Sequence, residues 1–158
     1  MTALALVERN QPRFSTGNHS VLTYENETLV QRLQVKEGIG KEESEVLFLD
    51  MRKFLLLCGT TTTPLSPPEK IDMAWHHFIL FTKDYREFCL RYFDRFIGHG
   101  PVSRDMPEQA IPAVSRTVAL ATATFGDLLS TNWLNQPKAD CGGSTNCGGK
   151  TCCNDGGG

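Results

Sequence analysis

The sequence predicts a small all-α domain, and three observations carry that prediction. Apolar residues recur at three- and four-residue intervals in separate stretches between Tyr24 and Phe125. Glycine and proline punctuate them, at Gly38-Ile39-Gly40, Ser66-Pro67-Pro68 and Gly98-His99-Gly100-Pro101. No stretch alternates apolar and polar residues as a half-buried strand does, and there is no long internal repeat or heptad run.

The spacing of Leu29, Val30 and Leu33 predicts a first helix from Tyr24 to Lys36, ending near Gly38. A second is predicted over Glu42 to Leu57, acidic at its start and apolar at Leu47, Met51, Phe54, Leu55 and Cys58, with Gly59 as its C-cap. Ser66 is placed to cap a third helix from about Pro68 to Phe81, with prolines and Glu69 at its first turn and Ile71, Trp75, Phe78 and Ile79 on its buried side. Thr82 or Asp84 caps a fourth, whose stripe of Tyr85, Phe88, Cys89, Tyr92, Phe93 and Phe96 is aromatic. The third and fourth form a short-linked helical hairpin at the centre of the domain. Pro107 and Pro112 mark an irregular loop, and a fifth helix is expected over Ala113 to Phe125.

About five helices therefore occupy residues 20–136. Residues 1–19, with Pro12, Gly17 and no periodicity, read as a loose arm with Phe14 docked, and residues 137–158 as a disordered Cys/Gly-rich tail. That tail holds Cys141, Cys147, Cys152 and Cys153, four of the six cysteines, with almost nothing apolar to bury. Its cysteine spacings do not match the two-residue knuckles of zinc ribbons, but clustered thiolates among glycines can wrap zinc or Cu(I).

A net charge of −2 with interspersed signs offers no basic stripe, which argues against a nucleic-acid partner. The opening Met1 to Val7 is apolar but short and lacks the preceding positive charge of a secretory signal, and no later run approaches a membrane span. The expectation is a soluble, cytoplasmic protein with no membrane partner, whose thiols stay free or bind metal. Phosphate-loop, dinucleotide-binding and His-Glu-x-x-His patterns are absent. Asn26-Glu27-Thr28 matches a glycosylation acceptor within a predicted helix, where the match is by chance.

The densest chemistry before the tail is Asp72-Met-Ala-Trp75-His76-His77, followed by Cys89 and His99. Asp72 and His76, four residues apart on a helix, share a face, so the carboxylate can orient one ring nitrogen and leave the other free. In a hairpin Cys89 can approach His76, and the next loop can fold His99 back over both. Such an imidazole and thiolate set suits zinc better than calcium or magnesium. Set against this, a cysteine on an aromatic stripe is often a small core residue, and an Asp–His pair is often a plain structural contact. His77, a quarter turn away, is expected to be exposed.

The run from Ile71 to Cys89, with Asp72-x-x-Trp75-His76 and Tyr85-x-x-x-Cys89, continuing to Ile97-Gly98-His99-Gly100-Pro101, resembles the glycine-rich domain-containing protein family. The resemblance spans about residues 40–136, while the tail matches in composition alone. It implies an α-helical domain in which Asp72, Trp75, His76, Tyr85, Cys89 and His99 matter, and brings no reaction or substrate with it. Bacterial relatives commonly carry His-His where this chain has Gly98-His99, which implies one histidine here in place of two. The RNA-binding region of some plant relatives has no counterpart in this sequence.

The leading expectation is a metal-binding or thiol-handling accessory protein, with the tail as capture element and Asp72, His76, Cys89 and His99 as an internal site. The alternative is an interaction module whose aromatic hairpin binds a protein partner, the Asp72–His76 pair being structural. A third reading is an enzyme in which a bound metal activates water.

Overall fold

The computed structural model describes residues 21–100 and 107–134, which form five α-helices and no strand. They are α1 (Glu27–Glu37), α2 (Lys41–Thr60), α3 (Glu69–Leu80), α4 (Thr82–Phe93) and α5 (Pro107–Phe125), followed by 3₁₀ turns at Gly126–Leu128 and Thr131–Trp133. No helix among the described residues is long and apolar enough to cross a membrane. The arm expected over residues 1–19, with Phe14, and the tail with Cys141, Cys147, Cys152 and Cys153 lie outside the described residues.

Several boundaries differ from the sequence expectation, each for a local reason. The first helix starts after Tyr24 because Asn26 is its N-cap: the Asn26 amide oxygen accepts the Leu29 N–H at 2.9 Å. The other end of the amide donates to Asp84 at 3.1 Å, so Asp84 serves this junction and not a cap on α4. Tyr24 belongs to a segment held by Arg52, whose guanidinium donates to the carbonyls of Leu22 and Tyr24.

Gly59 is not the C-cap of α2, which runs on to Thr60. A Cβ at Gly59 would lie 2.2 Å from Cδ1 of Phe93, so this glycine lets the end of α4 approach the helix. Ser66 does not cap α3, which begins after Pro68 without a side-chain cap; the Ser66 N–H donates to Thr117 Oγ1 of α5 at 3.0 Å. Neither Thr82 nor Asp84 caps α4, whose N-cap is Phe81. The fifth helix starts at Pro107, where a missing N–H costs nothing, and continues past Pro112. Gly126, at φ 54°, turns the chain out of it.

The core forms around α2, which packs against α1, α3, α5 and the final 3₁₀ turn. Its Leu47, Met51, Phe54 and Leu55 are buried together with Leu29 and Leu33 of α1 and Ile71, Ala74 and Phe78 of α3. A single residue, Phe81, separates α3 from α4, so the two make the expected hairpin. Phe78 meets Tyr85 and Phe88 edge-on across it, with ring centroids at 5.1 and 5.3 Å. Tyr24 closes the cluster against Phe48, Phe78, Phe88 and Tyr92. The aromatic stripe of α4 is thus turned inward, apart from Phe96, which lies beyond the helix and remains 56 % exposed.

Buried polar groups tie the C-terminal segment to α2. The Asp50 carboxylate, 1 % exposed, accepts from Trp133 Nε1 at 2.9 Å, Asn132 Nδ2 at 3.0 Å and the Ser130 hydroxyl. Lys53, one turn on, lies 3.5 Å from the same carboxylate and donates to the Leu128 carbonyl. Trp133 is fully buried as a result.

Candidate metal centre

Two elements supply the site: the first two turns of α3 and the loop after α4. Asp72 and His76 stand four residues apart on α3, one above the other. His76 Nδ1 is 2.7 Å from the Asp72 carbonyl oxygen and 3.3 Å from Oδ2 of its carboxylate. His99 arrives from the loop and places Nε2 2.8 Å from Asp72 Oδ1. One carboxylate therefore faces two imidazoles, and each ring keeps a second nitrogen.

One ligand atom from each of Asp72, His76 and His99 can be chosen so that all lie within 4.8 Å of one another. No other His, Cys, Asp or Glu cluster among the described residues gathers three donors in this way. The two carboxylate–imidazole separations, 2.8 and 3.3 Å, run to different oxygens of Asp72, Oδ1 for His99 and Oδ2 for His76. A metal ion binding here would have to displace a proton at each ring nitrogen that serves as its ligand and currently carries one.

The loop that carries His99 is anchored from below. Tyr85, buried on α4, donates its hydroxyl to the Ile97 carbonyl at 2.6 Å and accepts from Trp75 Nε1 at 2.9 Å. Trp75 in turn lies beneath the His99 ring, centroids 4.4 Å apart, and His76 flanks it at 4.3 Å. His99 is thereby enclosed by two rings, while the His76 side chain is 57 % exposed. The cluster has one packed side and one open side. A groove of about 590 Å³ opens beside it, lined by Trp75, Gly98, Arg95 and the Thr60–Thr63 run.

Cys89 is not in this cluster, contrary to the expectation that it approaches His76. It is fully buried, and its polar neighbours are the Ile97 backbone and the Tyr85 hydroxyl. The cause is helical: Cys89 is one turn beyond Tyr85 on the same inward face of α4. Burial pushes its thiol above the usual range. Cys58, the other described cysteine, has its thiol pushed up to about 12, again by burial. Both are poor thiolates and poor ligands at neutral pH.

His77 also departs from its expected place on the surface. Its side chain is 14 % exposed at the α1–α3 contact, where Arg32 Nε donates to Nδ1 at 3.1 Å and Nε2 donates to Glu37 at 2.6 Å. Because Nδ1 accepts, the proton sits on Nε2, and neither nitrogen is free for an ion. The sequence held no local signal for this pairing, since the partners are 45 and 40 residues away.

No curated protein and no solved structure matches the chain. A family model does match, over residues 19–121, a span that includes all of α1 to α4, the Tyr85 anchor and the Asp72, His76 and His99 cluster. By that match the chain belongs to the UCP032817-like family.

Proposed function

We propose that this protein is a metal-binding accessory protein that holds a zinc-like ion through Asp72, His76 and His99, with the tail cysteines Cys141, Cys147, Cys152 and Cys153 as a separate thiol-based capture element. The observation that carries the reading is the convergence of two imidazoles and a carboxylate from separate elements, braced by Trp75 and Tyr85, at an edge open to solvent. Two nitrogens and one oxygen suit zinc, which ordinarily takes four ligands, whereas the softer tail thiolates also suit Cu(I). The Tyr85 bond holds the Ile97 backbone of the loop that carries His99, and Trp75 packs against the His99 ring.

The direct test is elemental mass spectrometry on untagged protein whose four tail cysteines are replaced by serine, with and without His76→Ala. The exposed His76 can be removed with the fold intact, as circular dichroism would verify. About one equivalent of metal, lost in His76→Ala, is the expected result. Failure of the serine-substituted chain to take up zinc even when it is supplied would sink the proposal and leave the Asp72–His76 pair as a structural contact.

A further inference from the structure

We propose that the groove beside the metal cluster is a second site, which binds a small organic molecule through a carboxylate or phosphate group held by Arg95. It is built from the end of α2, the Thr60–Thr63 run, Trp75 of α3, and Arg95, Ile97 and Gly98 after α4. At about 590 Å³ it falls within the range of about 300–1,000 Å³ usual for small-molecule sites. None of Asp72, His76 and His99 lines it, so the inference stands apart from the metal reading.

The charge of the lining selects an anion. None of its described lining residues is acidic, and Arg95 is the one that carries a charge. A second guanidinium, that of Arg116 on α5, reaches the rim and donates to the Pro64 carbonyl at 3.4 Å. Neither arginine forms an ion pair among the described residues, whereas Lys41, Lys53 and Lys70 each do. Two uncompensated cations over an acid-free concavity make an attractive potential for an anion. The groove between α1 and α2, of about 680 Å³, lacks this selectivity, because Glu25, Glu27 and Glu45 line it together with Lys41 and Arg52.

The negative end of α2 borders the same groove and would oppose an anion if its carbonyls were bare. They are capped instead: the Leu56 carbonyl accepts the Thr60 hydroxyl at 2.8 Å, the Leu57 carbonyl the Thr61 N–H at 3.1 Å, and the Cys58 carbonyl Arg95 Nη2 at 2.7 Å. That last bond pins Arg95 to the wall, while its remaining N–H groups have no hydrogen bond among the described residues. A guanidinium held in this way keeps donors for the two oxygens of a carboxylate or phosphate. The threonine run adds hydroxyls, since Thr61 Oγ1 accepts the Thr63 N–H at 3.2 Å and keeps its own proton to donate. Leu65 and the Trp75 ring supply apolar surface for the body of the molecule.

Calorimetric titration of the full-length chain with phenyl phosphate and with benzoate tests the proposal, phenol serving as the uncharged control of the same shape. At least one of the two anions should bind, one per chain, the tighter of them marking the head group the site takes, and phenol should not bind. Arg95→Ala should weaken that binding roughly tenfold or more, the effect of losing a charge-assisted hydrogen bond. Arg95→Lys, which keeps the charge without the fork, should fall between. Arg95 is exposed, so both variants should fold, as circular dichroism would verify, and Thr62→Val, also at an exposed position, should weaken binding less than Arg95→Ala does. His76→Ala should bind the anion as the native chain does. Absence of binding by either anion, binding of phenol as tight as theirs, or unchanged affinity in Arg95→Ala would each overturn the inference. Anion binding lost in His76→Ala and kept in Arg95→Ala would overturn it too, by assigning the anion to the metal cluster.

Discussion

Two aspartates 22 residues apart on neighbouring helices face opposite tasks. Asp50 is 1 % exposed and its two carboxylate oxygens are occupied by Ser130, Asn132, Trp133 and Lys53. Asp72 is a third exposed by side chain and faces two imidazoles, each with a second nitrogen in hand. The first arrangement is saturated: its donors have nowhere better to go, and it fastens one segment to another. The second has unspent bonding capacity on a solvent-facing side. Having a partner does not distinguish a structural acid from a functional one. The distinction lies in whether the partners, once engaged, can still do something else.

The largest effect that would break or sharpen this contrast is expected at Asp50. Replacing it with Ala leaves the Lys53 ammonium buried without its counter-charge and orphans the Trp133 and Asn132 donors, at a cost of about 3–5 kcal/mol. The parallel Asp72→Ala change should cost no more than about 1 kcal/mol while abolishing metal uptake. Urea unfolding of both variants, read beside metal content, settles the matter; equal losses of stability would erase the contrast.

A smaller effect is expected at Tyr85→Phe, which removes the acceptor for Trp75 and the donor to Ile97. A stability loss of about 1–3 kcal/mol should come with roughly tenfold weaker metal binding, measurable by competition with a chromophoric chelator. A stability loss with unchanged affinity would show that the His99 loop does not depend on its anchor.

The smallest expected effect concerns the thiols. Burial raises Cys58 from 9.0 to about 12 and moves Cys89 in the same direction. The folded state thus holds these protons more tightly than the unfolded state does. The associated stability is complete below pH 9 and declines as pH rises from 9 towards 12. At neutral pH a thiol reagent should modify the half-buried Cys58 slowly and the buried Cys89 only on unfolding. Rapid modification of Cys89 in the folded protein would contradict its burial.

Much of the fold was legible because it is local. Helix periodicity, the hairpin and the Asp72–His76 pair follow from three- and four-residue spacing, and the fold-back of His99 follows from the break at Gly98. Cys89 was misplaced because its four-residue step from Tyr85 is equally the period of a core stripe, and spacing alone does not say which side of the hairpin that stripe faces. Gly59 looked like a cap because caps and close approaches both select glycine. The Asp50 cluster and the Arg32–His77–Glu37 contact were invisible, since their partners lie about 80 and 40 residues away in the chain and meet only once the helices have packed.

The Tyr85 bond to the Ile97 carbonyl has a further consequence for which changes of length this chain can bear. With Ile97 fixed, only Gly98 separates the anchor from His99. One residue inserted between Ile97 and His99 would shift the imidazole by up to about 3.5 Å, more than a ligand bond tolerates. The Ile97–His99 stretch is therefore a gauge of fixed length, within which insertions and deletions should be excluded.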